Sequence, residues 1–180
     1  MIDQLESIRS FGEEHRVPIV SRETAHFLCT HIDTTRPHRC LEIWSAIGYS
    51  TLLIGMHISA RWWHITSYEI SLPSYRIARA NLATSWVHNV SLYHGDVMSF
   101  PKQQRQESYD FVFIDGAKAQ YSSYLRLVLP LLRPHATIVC DDVISYEHKM
   151  QWLQDILAES SLSYERIALA DGDWVLLLHT

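Results

Sequence analysis

The segment Asp110-Phe-Val-Phe-Ile-Asp115-Gly-Ala-Lys118-Ala-Gln-Tyr121 contains a short apolar strand that ends on a carboxylate, with a lysine three residues further on. A second apolar run, Ala136-Thr-Ile-Val-Cys140, also ends on acids, Asp141 and Asp142. The carboxyl ends of parallel strands meet at one edge of a sheet, where α/β proteins bind their ligands. We therefore expect three carboxylates beside Lys118, and hard oxygen donors of this kind suit a divalent cation.

Apolar runs alternate with helical patterns after residue 38, which favours βαβ units and a parallel sheet. The pattern predicts strands near 39–43, 64–69, 90–94, 109–115 and 136–140, and helices near 48–58, 72–86, 119–132 and 146–159. Two amphipathic stretches precede the sheet, around 3–15 and 21–34, and Pro18 between them disfavours one continuous helix. We expect them to form a helical cap over residues 1–36 that packs outside the sheet of residues 37–180.

The end of the chain predicts a β-hairpin. The runs Ser163–Ala168 and Asp173–Leu178 flank the turn Ala170-Asp-Gly-Asp173, whose glycine is typical of hairpin turns. Together with the five earlier strands, this gives an α/β fold with a mostly parallel seven-stranded sheet, an antiparallel C-terminal hairpin and helices on both faces. With 180 residues, 47% of them hydrophobic, and no linker-like stretch, the chain predicts a single domain, 1–180.

Composition narrows the class of protein further. The first residues are acidic, unlike a secretory signal, and no apolar run is long enough to cross a membrane, so we expect a cytoplasmic protein without a membrane partner. The three cysteines lack metal-type spacing and are interpreted as buried thiols, and the eleven histidines form no paired ligand motif. A formal net charge of −5 offers no general attraction for nucleic acid, although a local basic patch is compatible with it.

A strand-to-helix corner follows the first strand, in Cys40-Leu-Glu-Ile-Trp44-Ser-Ala-Ile-Gly48-Tyr-Ser50. Gly48 permits a tight turn, and the amides that open the next helix can hold an anionic or polar group. The second strand ends at Glu69, roughly where open nucleotide-binding sheets place an acid on ribose hydroxyls. A nicotinamide dehydrogenase is disfavoured, because its fingerprint needs three spaced glycines in this turn.

As a set, these segments resemble the catechol-type, cation-dependent O-methyltransferases (family 3). The similar segments occur in the family's order and span most of the chain; they are Leu41–Thr51, Tyr68–Ile70, Gly95–Asp96, Phe113–Tyr121 and Ile138–Val143. The segment His15-Arg-Val-Pro-Ile19 is similar to one in the bacterial branch of the family, which includes the methyltransferases of 5-hydroxyuridine in tRNA.

The resemblance implies a Rossmann-like class I methyltransferase sheet that binds S-adenosylmethionine. Carried over by position, the Gly48 turn and Ser50 hold the methionyl end of the cofactor, Glu69 the ribose and Asp96 the adenine region. The full set of cofactor-binding residues implied in this way is Trp44, Ala46, Gly48, Ser50, Glu69, Ile70, Asp96, Asp115 and Gly116.

The same resemblance implies the catalytic groups, Lys118 and Asp115. Asp115, Asp141 and Asp142 bind a divalent cation, by default Mg²⁺, and Lys118 is the general base for a hydroxyl whose neighbouring oxygen lies on the cation. The acceptor is either a small catechol-like molecule or hydroxyuridine in tRNA, and the likeness to the bacterial branch favours RNA. Relatives often form dimers, so a homodimer is compatible with the resemblance.

Departures from the family at Trp44 and in the stretch after Asp142 motivate a competing hypothesis, and a further one at Asp142 concerns the metal. Trp44 replaces a glycine that lets the backbone approach the cofactor, and Asp142 replaces an asparagine. The stretch between Asp142 and the next predicted helix is short, which predicts an open acceptor site. The alternative to an enzyme is therefore a non-catalytic methyltransferase-fold binding module, with cofactor binding impaired by Trp44.

Overall fold

The computed structural model describes residues 2–59, 63–99, 109–143, 151–160 and 162–180. Six α-helices and seven strands lie within these residues. The helices are α1 (Ile2–His15), α2 (Arg22–Thr35), α3 (Tyr49–Ser59), α4 (Leu72–Ala83), α5 (Tyr121–Val128) and α6 (Gln151–Glu159). The strands are β1 (Arg39–Ile43), β2 (His64–Glu69), β3 (Val90–His94), β4 (Tyr109–Ile114), β5 (Leu132–Cys140), β6 (Ser163–Ala168) and β7 (Trp174–His179).

The strands form one sheet in the order β3-β2-β1-β4-β5-β7-β6. The first five strands are parallel to their neighbours, whereas β7 is antiparallel to both β5 and β6. The predicted mixed sheet and its closing hairpin are therefore confirmed. Because β1 lies between β2 and β4, the carboxyl ends of β1, β2 and β4 meet at the centre of one sheet edge.

Each face of the sheet is covered by its own apolar cluster. On β4, Phe111 and Phe113 belong to a cluster with the helical residues Leu28 and Ile54, whereas Val112 and Ile114 face the other side. That second cluster contains Tyr124, Leu125 and Ile156 from α5 and α6. Successive strand residues point to opposite faces, so a run of apolar residues such as Phe111–Ile114 indicates a strand that is buried on both sides.

Some predicted boundaries differ from the observed ones for local reasons. Helix α4 ends at Ala83 rather than near 86. Thr84 caps the helix, and the Thr84 amide donates a hydrogen bond to the carbonyl of Ala80. Strand β5 begins four residues before the predicted start, at Leu132, because His135 at φ 64 and a register shift opposite β4 interrupt the strand without ending it. The predicted start of the last helix, near 146, and the short stretch before it lie outside the described residues.

Helices α1 and α2 pack on the same face as α3. Ile8, Leu28 and Ile32 share an apolar cluster with strand residues such as Phe111. The division into a cap, 1–36, and a sheet, 37–180, stays a prediction. Within the described ranges, no helix combines the length and the apolar character needed to span a bilayer.

Candidate functional site

A cavity of about 420 Å³ opens at the carboxyl ends of β1, β4 and β5. Its lining combines acids, one lysine, an indole and a short apolar stretch that precedes α2. The lining residues are Pro18, Ile19, Val20, Ser21, Trp44, Asp115, Gly116, Ala117, Lys118, Asp141, Asp142 and Asp173. The structure thus brings Trp44, Asp115, Gly116, Lys118, Asp141 and Asp142 together, as the sequence predicted. Asp173 was not predicted to belong to this site. It lies next to the cavity because it precedes β7, and β7 pairs with β5.

Lys118 is fixed by several acceptors. It opens a turn of 3-10 helix, Lys118–Gln120, in the loop that follows β4. Its Nζ donates to Asp115 Oδ1 at 3.3 Å, to the Tyr121 hydroxyl at 3.0 Å and to the backbone oxygen of Asp141 at 3.0 Å. The Tyr121 hydroxyl in turn donates to the same Asp141 oxygen at 2.8 Å. The amine therefore has a defined position inside the cavity, as a group that handles a proton must have.

The two buried carboxyls beside Lys118 both have raised pKa values. Burial raises the pKa of Asp115 to about 6, although the nearby Lys118 amine opposes the rise. Burial and the charge of Asp115 raise the pKa of Asp141 to about 7, and a hydrogen bond from Thr24 Oγ1 to Asp141 Oδ1, at 3.0 Å, opposes it. Clustered acids with raised pKa values in a cavity are typical of functional sites.

The three predicted metal ligands differ in their surroundings. Asp142 lies at φ 51, and its Oδ2 is 3.9 Å from Lys118 Nζ, whereas Asp141 turns an oxygen towards Thr24. Within the described part of the chain, no group of three or more His, Cys, Asp or Glu side chains is arranged to hold a metal ion. The donor set still matches a divalent cation in kind, because three aspartates, whose carboxyl oxygens are hard donors, line one cavity together with an amine. The three aspartates suit a divalent cation by their oxygen donors and their negative charge. Their side chains are not arranged as a set of metal ligands in this structure.

The turn after β1 has an unusual backbone. Trp44 lies at φ 75 and Ala46 at φ 46, the left-handed region that favours glycine, and Gly48 lies at φ 84. The amides of Trp44 and Ser45 both donate to the carbonyl of Tyr68, at 2.8 and 3.1 Å. Non-glycine residues hold such angles where the surrounding structure imposes them, often at ligand sites. The turn is thus fixed against β2.

Glu69 and Asp96, the predicted ribose and adenine residues, end neighbouring strands but do not line the cavity. Glu69 is only 2% exposed, and burial raises the pKa of its carboxyl. Its two oxygens accept hydrogen bonds from the amides of Ala46 and Ser71, each at 2.7 Å. Asp96 is exposed and accepts a hydrogen bond from the Met98 amide at 2.9 Å. Glu69 therefore has a structural role in holding the first turn, which the sequence did not indicate.

A buried acid beneath the first turn was missed in the sequence. Glu42 lies in β1, and its Oε2 accepts hydrogen bonds from Thr51 Oγ1 at 2.5 Å and from Ser67 Oγ at 2.6 Å. Burial raises the pKa of Glu42, and a hydrogen bond with Ser50 opposes the rise. The predicted cofactor residue Ser50 therefore forms a hydrogen bond with Glu42, beneath the first turn. A charged residue inside the apolar run Cys40–Ile43 was the available signal.

The indole of Trp44 packs towards α5. Its Nε1 donates to the Tyr124 hydroxyl at 3.0 Å. A Cβ added to Gly116 would lie 2.9 Å from Trp44 Cδ1 and 2.9 Å from Tyr124 Cε2, so Gly116 leaves the room that these two rings occupy. The indole forms one wall of the cavity rather than closing it.

The residues around the first turn fit an S-adenosylmethionine-type cofactor in position. Glu69, Ile70 and Asp96 end or follow β2 and β3, next to the turn that opens α3. The buried Ser45 hydroxyl and Glu42 Oε1 have no hydrogen-bond partner among the described residues. The space for a cofactor beside the first turn is smaller than it would be with glycine at position 44, because the indole of Trp44 occupies part of it.

Sheet order, strand direction and the position of the cavity together define the class I methyltransferase fold. An O-methyltransferase from Bacillus cereus in complex with SAH has this fold, with a TM-score of 0.82 at 22% identity, and the match covers 99% of this chain and 91% of that chain. An O-methyltransferase from Streptomyces achromogenes, involved in tomaymycin synthesis and in complex with SAM, matches with a TM-score of 0.81 at 22% identity, over 98% of this chain and 89% of that chain.

The chain belongs to the O-methyltransferase family whose model matches residues 3–159. A caffeoyl-CoA O-methyltransferase from Stellaria longipes is 23% identical over 150 residues, and a catechol O-methyltransferase from Mycobacterium tuberculosis is 28% identical over 126 residues. These matches cover 79% and 69% of this chain. The chain spans 62% and 57% of the length of those two relatives. The family predicted from the sequence is therefore confirmed.

Proposed function

We propose that the protein is an S-adenosylmethionine-dependent O-methyltransferase with Lys118 as its base. The observation that carries the proposal is the position of Lys118, whose amine is held by Asp115, Tyr121 and Asp141 in a cavity that also borders the first turn. A base and a cofactor turn on one cavity wall supply the two things that methyl transfer to a hydroxyl requires.

The cofactor is assigned to the edge formed by the ends of β1, β2 and β3. Gly48 and the first amides of α3 would hold its methionyl end, because helix amides favour a carboxylate. Glu69 and Asp96 lie where ribose and adenine bind in the proposed arrangement. The Trp44 indole bounds the site on the side of Gly116. When bound, the cofactor supplies an activated methyl group.

The reaction needs little covalent chemistry from the protein. In its neutral form, Lys118 Nζ would accept the proton of the acceptor hydroxyl, and the resulting oxyanion would be the nucleophile for the methyl group, whose sulfonium carrier would leave as a neutral thioether. Asp115 holds the amine at 3.3 Å, and Tyr121 fixes its direction. Positioning and electrostatics account for the rate, since a base that is fixed at the reacting oxygen needs no reorganisation.

The proposal extends to a divalent cation beside Lys118. Asp115, Asp141 and Asp142 are the residues that would hold it, since they present hard oxygens in one cavity and exceed the charge of the single amine. When bound, the cation supplies positive charge that makes a coordinated hydroxyl more acidic.

The acceptor that the cavity supports best is a small aromatic diol. Pro18, Ile19 and Trp44 offer apolar surface, and a cavity of about 420 Å³ is of the size that holds a small molecule. Lys118 is the one basic residue among the described lining residues, which include four aspartates. An acidic rim disfavours a phosphate backbone, so tRNA is the alternative acceptor.

A homodimer remains a proposal.

One assay tests these statements separately. The purified chain is incubated with S-adenosylmethionine carrying a labelled methyl group and with either a catechol or tRNA whose 5-hydroxyuridine is not yet methylated, each with Mg²⁺ or with EDTA. We expect label on the catechol and a higher rate with Mg²⁺. Label on tRNA alone would contradict the proposal that the acceptor is a small aromatic diol. Equal rates with Mg²⁺ and with EDTA would contradict the proposal that a divalent cation takes part.

Two substitutions at Lys118 separate its proton chemistry from its charge. Lys118→Met removes both and should abolish labelling, whereas Lys118→Arg keeps the charge and should restore little, because a guanidinium does not take up a proton near neutral pH. Calorimetry with S-adenosylhomocysteine gives the control, since both variants should bind the cofactor product like the native chain. Full activity in Lys118→Met, or no binding of S-adenosylhomocysteine by the native chain, would overturn the proposal.

A further inference from the structure

A buried arginine lies between the first helix and the first turn of the sheet. Arg9, on α1, is 4% exposed, and it is the only buried arginine or lysine among the described residues. Its guanidinium carbon lies 4.4 Å from the centroid of the ring of Tyr49, the first residue of α3. An arginine keeps its charge, and burial of a charge is costly unless a partner compensates it.

The contacts of Arg9 leave this charge without an anionic partner. Its Nη2 donates to the carbonyl of Val20 at 3.3 Å, whereas hydrogen bonds between two charged groups are typically about 2.7–2.9 Å long. Its buried Nε has no hydrogen-bond partner among the described residues. Within the same part of the chain, no carboxylate forms an ion pair with Arg9.

The acid that could compensate Arg9 is already paired elsewhere. Glu6 precedes Arg9 by three residues on α1, so the two side chains share a face of the helix. Both oxygens of Glu6 accept hydrogen bonds from Arg22, at 2.7 and 2.8 Å. A guanidinium has several N–H donors, and the neutral carbonyl of Val20 occupies one of them. Arg9 is therefore a buried cation with unused donors.

These donors lie at the start of a helix that already favours an anion. The first hydrogen bond of α3 runs from the Leu52 amide to the Gly48 carbonyl, at 3.0 Å, so the amides of residues 49–51 precede it. Free amides at a helix N-terminus attract negative charge. Because Arg9 lies on the ring of Tyr49, a full positive charge is added at this end of α3.

We propose that Arg9 binds the carboxylate of the cofactor's methionyl group, together with the first amides of α3. This inference rests on the proposed function, which assigns the methionyl end to Gly48 and α3. A planar guanidinium suits a carboxylate, because two parallel N–H groups can donate to its two oxygens. Arg9 itself is not a lining residue of the cavity, but Val20, whose carbonyl it holds, is one.

The proposal gives α1 a part in cofactor binding. A carboxylate is a stronger acceptor than the neutral carbonyl of Val20, so the guanidinium is expected to exchange one for the other while it stays on the Tyr49 ring. An acid of the protein paired with Arg9 would neutralise the charge permanently. The absence of such an acid among the described residues leaves the charge available to a ligand.

The test compares two ligands by isothermal titration calorimetry on the full-length chain. One is S-adenosylhomocysteine, and the other is its decarboxylated analogue, the same nucleoside thioether with its amine but without the carboxylate. We expect the native chain to bind S-adenosylhomocysteine about thirtyfold more tightly than the analogue. In Arg9→Met this preference should fall to about threefold, the part that the helix amides supply. Equal binding of the two ligands by the native chain would overturn the proposal without any variant.

Three comparisons separate recognition of the carboxylate from support of the fold. Arg9→Lys keeps the charge but not the planar fork, and it should retain a preference of about tenfold. Arg16→Met removes an exposed arginine just after α1 and should keep the native preference. Urea denaturation without ligand should show Arg9→Met to be at least as stable as the native chain, because methionine fills the site without a buried charge.

The ratio of the two affinities is the decisive quantity. A merely structural Arg9 would weaken both ligands alike in Arg9→Met, so a ratio equal to that of the native chain would overturn the role of Arg9 and leave the proposed function standing. No binding of S-adenosylhomocysteine by the native chain would overturn both.

Discussion

The indole nitrogen of Trp44 donates a hydrogen bond to the hydroxyl of Tyr124 at 3.0 Å, which ties the turn after β1 to helix α5. The Tyr124 hydroxyl in turn donates a hydrogen bond to Gln120 Oε1 at 2.5 Å. The bond directs the indole towards Gly116, on the wall of the cavity. A bulky residue at a positive φ thus has a defined place, and the cavity stays open beside it.

Trp44→Gly should bind S-adenosylhomocysteine more tightly than the native chain. Trp44 lies at φ 75, a backbone angle that glycine adopts without strain, and removal of the indole enlarges the space beside Gly116. Relief of crowding near the ligand is expected to increase affinity about tenfold, a gain of roughly 1.4 kcal/mol. Isothermal titration calorimetry at one temperature and buffer measures the difference.

Tyr124→Phe is the matched control for that comparison. It keeps the indole and the ring of residue 124 and removes only the acceptor of the Trp44 hydrogen bond. Its affinity should stay within a factor of about two of the native value, since the crowding by the indole persists. Equal affinities in Trp44→Gly and the native chain would show that the indole does not limit the cofactor site.

The fold was predictable because its signals are local and repeated. Runs such as Phe111–Ile114 are apolar on both faces, which identifies buried parallel strands, and the acids after β4 and β5 mark the ends that face the cavity. Lys118 could be predicted for the same reason, since it follows a strand end directly. The family motifs then supplied the proposed roles.

The remaining features depend on contacts between distant parts of the chain. Thr24 reaches Asp141 across 117 positions, and Asp173 joins the cavity only because β7 pairs with β5. The partners of Glu69 depend on the backbone of the first turn, which the sequence does not specify because Trp44 and Ala46, rather than glycines, have positive φ there. Periodicity carries no information about such pairs.

Thr24→Val should destabilise the protein and should do so more strongly at alkaline pH. Thr24 is fully buried, and its Oγ1 donates to Asp141 Oδ1 at 3.0 Å. Valine has the same shape without a donor, so a buried carboxylate oxygen loses its partner at an expected loss of about 1–3 kcal/mol. The hydrogen bond lowers the pKa of Asp141, so the substitution raises it further above the value of about 7.

Urea denaturation at pH 6 and pH 8.5 measures this effect. At pH 6 much of Asp141 is protonated and needs the donor less, whereas at pH 8.5 the carboxylate is charged and the loss should be larger. Thr24→Ser keeps the hydroxyl and should lose only the contribution of one methyl group, with no dependence on pH. A pH-independent loss in Thr24→Val would contradict the role of the hydrogen bond.

Glu42→Gln should stabilise the protein at neutral pH and leave its stability unchanged in acid. Burial favours the neutral carboxyl, so the pKa of Glu42 is higher in the folded chain than its ordinary value of 4.5. Below pH 4.5 the side chain is neutral in both the folded and the unfolded chain, and the glutamate lowers stability little. As the pH rises, the unfolded chain ionises first, so the native protein loses stability relative to the unfolded state until the folded pKa is passed.

Glutamine stays neutral at every pH, and its amide oxygen can still accept hydrogen bonds from Thr51 and Ser67. The gain of Glu42→Gln over the native chain should therefore grow from near zero at pH 4 to about 1–2 kcal/mol at pH 7, the size expected for a buried polar group. Urea midpoints at pH 4, 5, 6 and 7 give the curve. Glu14→Gln, at an exposed position on α1, is the control and should show no such growth. If the Glu42→Gln gain were equal at pH 4 and pH 7, the side chain would ionise alike in the folded and unfolded chains, and burial would not control its proton.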